Sequence, residues 1–198
     1  MMAKPKEDIV TAARHLARRL LRKQLRERWE HTCGVAARAV EIAVTVPAAD
    51  REILIASAWL HDIGYSPSVR RTGFHPLDGG RYLRAHSWPD RVCALVAHHS
   101  GARFVPIERG FAGMMAEFDF EDSAVSDALT YADQTVGPHG KPMTVAYRIA
   151  EAITRHGPNS PNARARVDRV PYLLAVADRV EQRLAGVEPP PHTCEELA

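Results

Sequence analysis

The sequence predicts an all-α fold, one helical bundle built from 198 residues. Apolar residues recur at helical spacing in segment after segment, beginning with Ile9, Ala13, Leu16, Leu20 and Leu21. No stretch alternates convincingly with period two, as a half-buried strand does. Proline and glycine punctuate the chain between the periodic segments, at Pro47, Gly64, Gly137 and Gly157-Pro158. The length suits a single domain with a proper core.

In the first helix Arg14, Arg18, Arg22 and Arg26 follow one another every fourth residue, away from the apolar stripe. This predicts an amphipathic helix packed through Ile9, Leu16 and Leu20. In the second, Val35, Ala39, Ile42 and Val46 keep the period until Pro47 stops it, which puts His31 near its start on the buried side. Asp50 is placed to cap a third helix through Leu54, Ala58 and His61, with Gly64 as its terminator. Ser66 to Gly73 reads as a loop, and Pro76 suits the first turn of a helix carrying Asp78 to His86. Pro89 starts another, with Val92, Leu95 and Val96 inward and His98-His99 at its carboxyl end. Gly101 to Asp119 is irregular. Ser123 to Thr135 is helical, a turn spans Gly137 to Pro142, and a helix runs through Val145 and Ile149 to Gly157. The last helix is expected from about Pro171 to Leu184, followed by a frayed tail at Pro189-Pro190-Pro191.

The net charge of +2 is unevenly distributed. Residues 1–30 hold nine Lys or Arg against four Asp or Glu, and the remainder holds 17 against 20. A solvated helix face explains this, and attraction of a polyanion is the sharper alternative. Nothing aromatic interleaves the arginines before Trp29, which argues against a stacking platform for nucleic acid. No run reaches membrane-spanning length. Cys33, Cys93 and Cys194 lack paired metal-site spacing and no apolar signal segment follows the amino terminus, so a reduced, cytoplasmic setting is expected.

The chemistry concentrates in His61-Asp62, a histidine and a carboxylate side by side at the end of an apolar run. His31, the pair His98-His99 and the distant Asp133 complete a metal-ligand inventory. Imidazole and carboxylate suit Fe, Mn, Ni or Zn when thiolates are absent, whereas calcium alone wants more oxygens. Adjacent helical residues diverge by about 100°. One metal therefore holds both members of the dyad only where their side chains converge from a helix end, a placement that Gly64 allows.

The order His, His-Asp, His, distant Asp resembles the HD-domain superfamily of metal-dependent phosphohydrolases. The matching stretches are W-E-H-T-C-G-V-A (Trp29 to Ala36), A-W-L-H-D-I-G-Y (Ala58 to Tyr65), H-P-L-D-G-G-R-Y-L (His75 to Leu83), V-A-H-H-S-G (Val96 to Gly101) and L-T-Y-A-D-Q (Leu129 to Gln134). On this resemblance the HD-domain core spans residues 24–157, with a basic helix packed on it at 1–23, a helical extension at 158–186 and a flexible tail at 187–198.

The resemblance implies a hydrolase of a nucleotide or another small phosphorylated metabolite, using metal-activated water. His31, His61, Asp62 and Asp133 hold a first metal, leaving positions for water and substrate. In the dinuclear HD enzymes, including bacterial diadenosine tetraphosphate hydrolases, two further histidines hold a second ion. Here those are His75 and His98, with Asp62 bridging; the alternative is one metal with both histidines on the substrate. Fe or Mn is favoured, with Ni, Co or Zn also suitable. Asp62, His61 and His99 are the expected catalytic residues, His99 as a further ligand, a proton donor or a residue behind the ligands. The chain lacks the G-Y-P signature of the HD-GYP branch, and Glu27 reads as a partner of nearby arginines rather than a ligand. Arg81, Arg84, Arg103, Lys141 and Arg148 are candidate phosphate clamps, each also readable as surface charge. Asp78 orients His75 or, as the commoner role, caps its helix. Two other classes compete: an HD-fold di-iron oxygenase, and a non-catalytic nucleotide-binding scaffold, against which intact ligands argue.

Overall fold

The computed structural model describes residues 7–105, 112–157 and 160–186. Its helices are α1 (Ile9–Leu21), α2 (Arg26–Glu41), α3 (Arg51–Leu60), α4 (His75–Ala85), α5 (Asp90–His98), a short α6 (Ala112–Met115), α7 (Ala124–Gln134), α8 (Val145–His156), a short α9 (Pro161–Arg164) and α10 (Arg166–Ala185). No strand forms among these residues, where the only β-type pairing is an isolated bridge between Val136 and Pro142. The all-α expectation holds.

The helix α3 organises the bundle because it is apolar on nearly every side. Its Ala56 and Leu60 join Leu16, Leu20 and Leu21 of α1, Leu77 and Leu83 of α4 and Val92 and Val96 of α5 in one core cluster. Leu54 and Ala58 face the other way, into a second cluster with Val35 and Ala39 of α2, Leu129 of α7 and Val176 and Val180 of α10. Each large side chain buried in this way contributes about 1.5–3 kcal/mol relative to exposure. The carboxyl end of α3, where the His-Asp dyad sits, is thereby fixed from both sides. Helix α1 docks through Ala13, Leu16, Ala17, Leu20 and Leu21, while Arg14, Arg18, Arg19 and Arg22 remain exposed. Asp8 caps it by accepting from the Thr11 amide at 2.8 Å.

Four local expectations are corrected. Helix α2 ends at Glu41, and Val46 lies beyond a 3-10 turn at Ala43–Thr45. Asp50 makes no capping bond, because its carboxylate is engaged by Arg91. Gly64 does not end α3 in a left-handed conformation; it allows a close approach described below. Helix α10 begins at Arg166, so Pro171 lies inside it and one i to i−4 bond is forgone beside the exposed Val167. The expected tail at 187–198 falls outside the described residues, as does the Pro106 to Phe111 part of the irregular stretch.

Candidate metal centre

Helix ends place the ligand-type side chains. His61 caps the carboxyl end of α3 with backbone angles still helical (φ −55°, ψ −36°), and Asp62 (φ −103°, ψ 5°) leaves the helix to start a 3-10 turn at Ile63–Tyr65. That break lets neighbouring residues, which would diverge within a helix, face one region. His75 is the first residue of α4. It comes close because Gly64 has no side chain: a Cβ there would lie 1.9 Å from the His75 carbonyl oxygen. His31 projects from the buried side of α2 toward Asp133, in the last turn of α7.

Two groups of three result. His31, His61 and Asp133 offer ligand atoms all within 4.8 Å of one another, and so do Asp62, His75 and His99. Asp62 lies between the trios. Its Oδ2 is 3.5 Å from His61 Nε2 and 3.8 Å from His31 Nε2, and its Oδ1 is 3.4 Å from His75 Nε2. The His75 and Arg28 side chains are 23% and 22% exposed, against 8% or less for His31, His61, Asp62 and Asp133, so solvent reaches the group from the His75 and Arg28 side.

The hydrogen bonds decide which way the rings present their lone pairs. The Nδ1–H groups of His31, His61 and His99 donate to the carbonyls of Gly137 (3.0 Å), Ala58 (2.8 Å) and Val96 (2.6 Å). A carbonyl only accepts, so the proton is on Nδ1 and the inward nitrogen is Nε2. Those Nε2 atoms crowd together: His31 and His61 are 3.4 Å apart, His75 and His99 3.3 Å apart, and His31 lies 3.0 Å from Asp133 Oδ1. Lone pairs and carboxylate oxygens converging at such distances favour positive charge among them, a proton on a ring or a metal ion. Backbone bonds of this type behind the rings are what fixes imidazoles as metal ligands, and the donor set of nitrogen and oxygen fits a transition metal.

Without metal, nearby positive charges meet part of that requirement. Burial opposes a charged His61, yet the Asp62 and Asp133 carboxylates raise its pKa above the ordinary value. Burial would raise Asp62 and Asp133 too, but the charges of His61 and Arg28 on the first, and the His31 bond with the His31 and Arg148 charges on the second, hold both well below the usual carboxylate range. Burial, reinforced by the His61 charge, pushes His99 down to about 4. His99 is then neutral at pH 7, which suits a ligand and argues against a proton donor. Arg28 donates to Asp62 Oδ2 at 3.0 Å while its guanidinium rests 4.3 Å over the Tyr65 ring, which also stacks on His75.

A family model described as the HD domain matches residues 28–182. The chain belongs to the HD-domain family. No curated protein and no solved structure matches it. Family membership together with the His/Asp clusters makes this chain a member of a superfamily of metal-dependent hydrolase type with a possible divalent-metal site. No helix among the described residues is long and apolar enough to cross a membrane.

Several residues expected at this HD-domain centre lie elsewhere. His98 does not join His75 and Asp62: its Nε2–H donates to the Phe118 carbonyl at 2.8 Å, its ring packs edge-on against Phe120, and His99 takes the place expected for it. Arg81 is paired with the Glu117 carboxylate, and Arg84 donates to the Glu117 carbonyl and lies over Phe118. Arg103 is packed among Phe104, Phe120 and Tyr172. Lys141 is exposed in the loop before α8. Arg148 alone of the five reaches the centre, with Nη2 3.7 Å from Asp133 Oδ1. Glu27 is exposed on the first turn of α2. Asp78 neither caps α4 nor meets His75; it gathers the amides of Arg71, Thr72 and Gly73 and the Thr72 hydroxyl. Arg28 was the residue missed. Its spacing, three before His31, puts it on the same helix face and was the available signal.

Proposed function

We propose that the chain is a metal-dependent phosphohydrolase acting on a nucleotide or another small phosphorylated metabolite. The observation that carries this reading is the convergence of imidazole lone pairs on two buried carboxylates, with a guanidinium group beside each carboxylate. His31, His61, Asp133 and Asp62 would hold one ion, and Asp62, His75 and His99 a second. A bound divalent metal, Fe or Mn by preference, supplies Lewis acidity that acidifies water and offsets charge on phosphoryl oxygens.

The protein's own groups do the positioning. The carbonyl bonds of His31, His61 and His99 lock three rings, and Asp62 spans the two halves with one oxygen toward each. Arg28, at the side open to solvent, presents a planar fork suited to two phosphate oxygens. Arg148 balances Asp133 from behind. Arg28 at the open side favours an anionic substrate, which sets this reading ahead of a di-iron oxygenase.

The test is elemental analysis of protein purified without added metal, followed by a phosphatase screen with Mn(II) and Fe(II) across nucleotides and dinucleoside polyphosphates. Metal-dependent hydrolysis is expected, read as inorganic phosphate from nucleotides or as nucleotide products from dinucleoside polyphosphates. Iron with an oxygen-dependent electronic spectrum and no hydrolysis of any of these would support the oxygenase instead.

A further inference from the structure

The segment after His98-His99 is bent by two consecutive left-handed residues, Ser100 (φ 58°) and Gly101 (φ 64°). Gly101 accepts this backbone freely, whereas Ser100 carries a Cβ and is strained there. Just before this turn His98 closes α5, and His99 (φ −54°, ψ 152°) lies beside Asp62 and His75.

Partners from two other helices hold Ser100. Its amide donates to Thr130 Oγ1 at 3.2 Å. Its carbonyl accepts from Arg169 Nε at 2.9 Å, and its hydroxyl oxygen accepts from Arg169 Nη2 at 3.1 Å. The Gln134 amide also donates to that hydroxyl and to Asp133 Oδ2 at 3.1 Å. A Cβ on Gly101 would meet Arg169 Cγ and Tyr172 Cδ1, each at 3.2 Å, so α10 is packed directly on the turn.

We propose that Arg169, on the C-terminal helix α10, is a positioning residue for the His99 half of the centre, acting through the Ser100 turn. The proposal rests on the reading of Asp62, His75 and His99 as a working half of the site. A guanidinium suits the task because its fork satisfies the carbonyl and the hydroxyl of one residue together. Through Gln134 the same hydroxyl is tied to Asp133, so the turn is referenced to the other half of the centre.

The test uses the full chain, nitrogen-15 labelled and metal-free, with imidazole ring signals recorded at one neutral pH. Wild-type His99 is expected as the Nδ1–H tautomer. In Arg169→Gln the His99 signals should shift or divide between tautomers while those of His31 and His61 stay, Arg169→Lys should fall between, and added ethylguanidinium should restore Arg169→Ala. Unchanged His99 signals in Arg169→Gln overturn the proposal. Equal disturbance of all the histidines, without rescue, overturns it too, since that is loss of structure in general. In a Co(II) titration, Arg169→Gln should weaken one of two equivalents by about 10–100-fold and spare the other. A wild type that takes one equivalent contradicts the two-metal reading, and the ring signals then decide the role of Arg169 alone.

Discussion

The Arg28 guanidinium lies 3.0 Å from Asp62 Oδ2, the oxygen that also faces His61 and His31. A protein cation thus shares the oxygen that a metal at the first trio needs. Arg28→Met should therefore bind Mn(II) more tightly, by roughly tenfold at an intermediate dielectric, and should raise KM for an anionic substrate. Weaker metal binding by the folded variant, measured calorimetrically, would show that Arg28 orients Asp62 instead of competing for it.

Asp62 and Asp78 are both buried carboxylates in the same region, with different roles. Asp62→Ala is expected to abolish hydrolysis and strip metal from both trios. Asp78→Ala removes the acceptor for three amides and a hydroxyl in the loop before His75, which costs about 1–3 kcal/mol of stability. Metal content and denaturant unfolding on the two variants separate these outcomes; equal metal loss from both would contradict the assignment.

Adjacent His98 and His99 should differ as sharply. His99→Gln is predicted to lose the metal bound with Asp62 and His75, whereas His98→Gln keeps it and loses stability through the Phe118 carbonyl bond. Metal equivalents per chain on the purified variants check this, and a reversed pattern would restore His98 as the ligand.

Acid should destabilise the metal-free protein between about pH 6.5 and 4. His99 has an ordinary value of 6.5 and a folded value of about 4, so in that window the unfolded chain holds a proton that the folded chain lacks. Stability then rises with pH and falls on acidification. Asp62 and Asp133, lowered in the fold, extend the loss to lower pH. His61, raised in the fold, acts only above 6.5, where its contribution declines as pH rises. Thermal unfolding of metal-free wild type and His99→Gln tests this: the variant should show a flatter slope across the window, and an unchanged slope contradicts the assignment to His99.

The sequence made the helices readable because the core is periodic: Leu16 and Leu20 in α1 and Val35 and Ala39 in α2 are buried, as their spacing implies. Helix ends were less readable, since Asp50 is drawn to Arg91, forty-one residues away, instead of capping α3. At the site, His31, His61 and Asp133 are brought together by helices whose faces are set by local period. The choice between His98 and His99 was not legible, because the two differ in what they meet in the fold, His98 the Phe118 carbonyl and His99 the Asp62 and His75 side chains. Arg81 and Arg84 were equally hidden, each satisfied by Glu117 from a distant segment. Gly64 read as a stop signal, yet its lack of a side chain serves the approach of His75.

Metal stoichiometry tests most directly the proposal that Asp62 joins two trios that each hold an ion. Protein loaded anaerobically with Mn(II) or Fe(II), freed of excess ion and analysed for metal, should carry about two equivalents per chain, falling to about one in His75→Ala. Saturation of the wild type at one equivalent, unchanged in His75→Ala, would contradict the dinuclear centre.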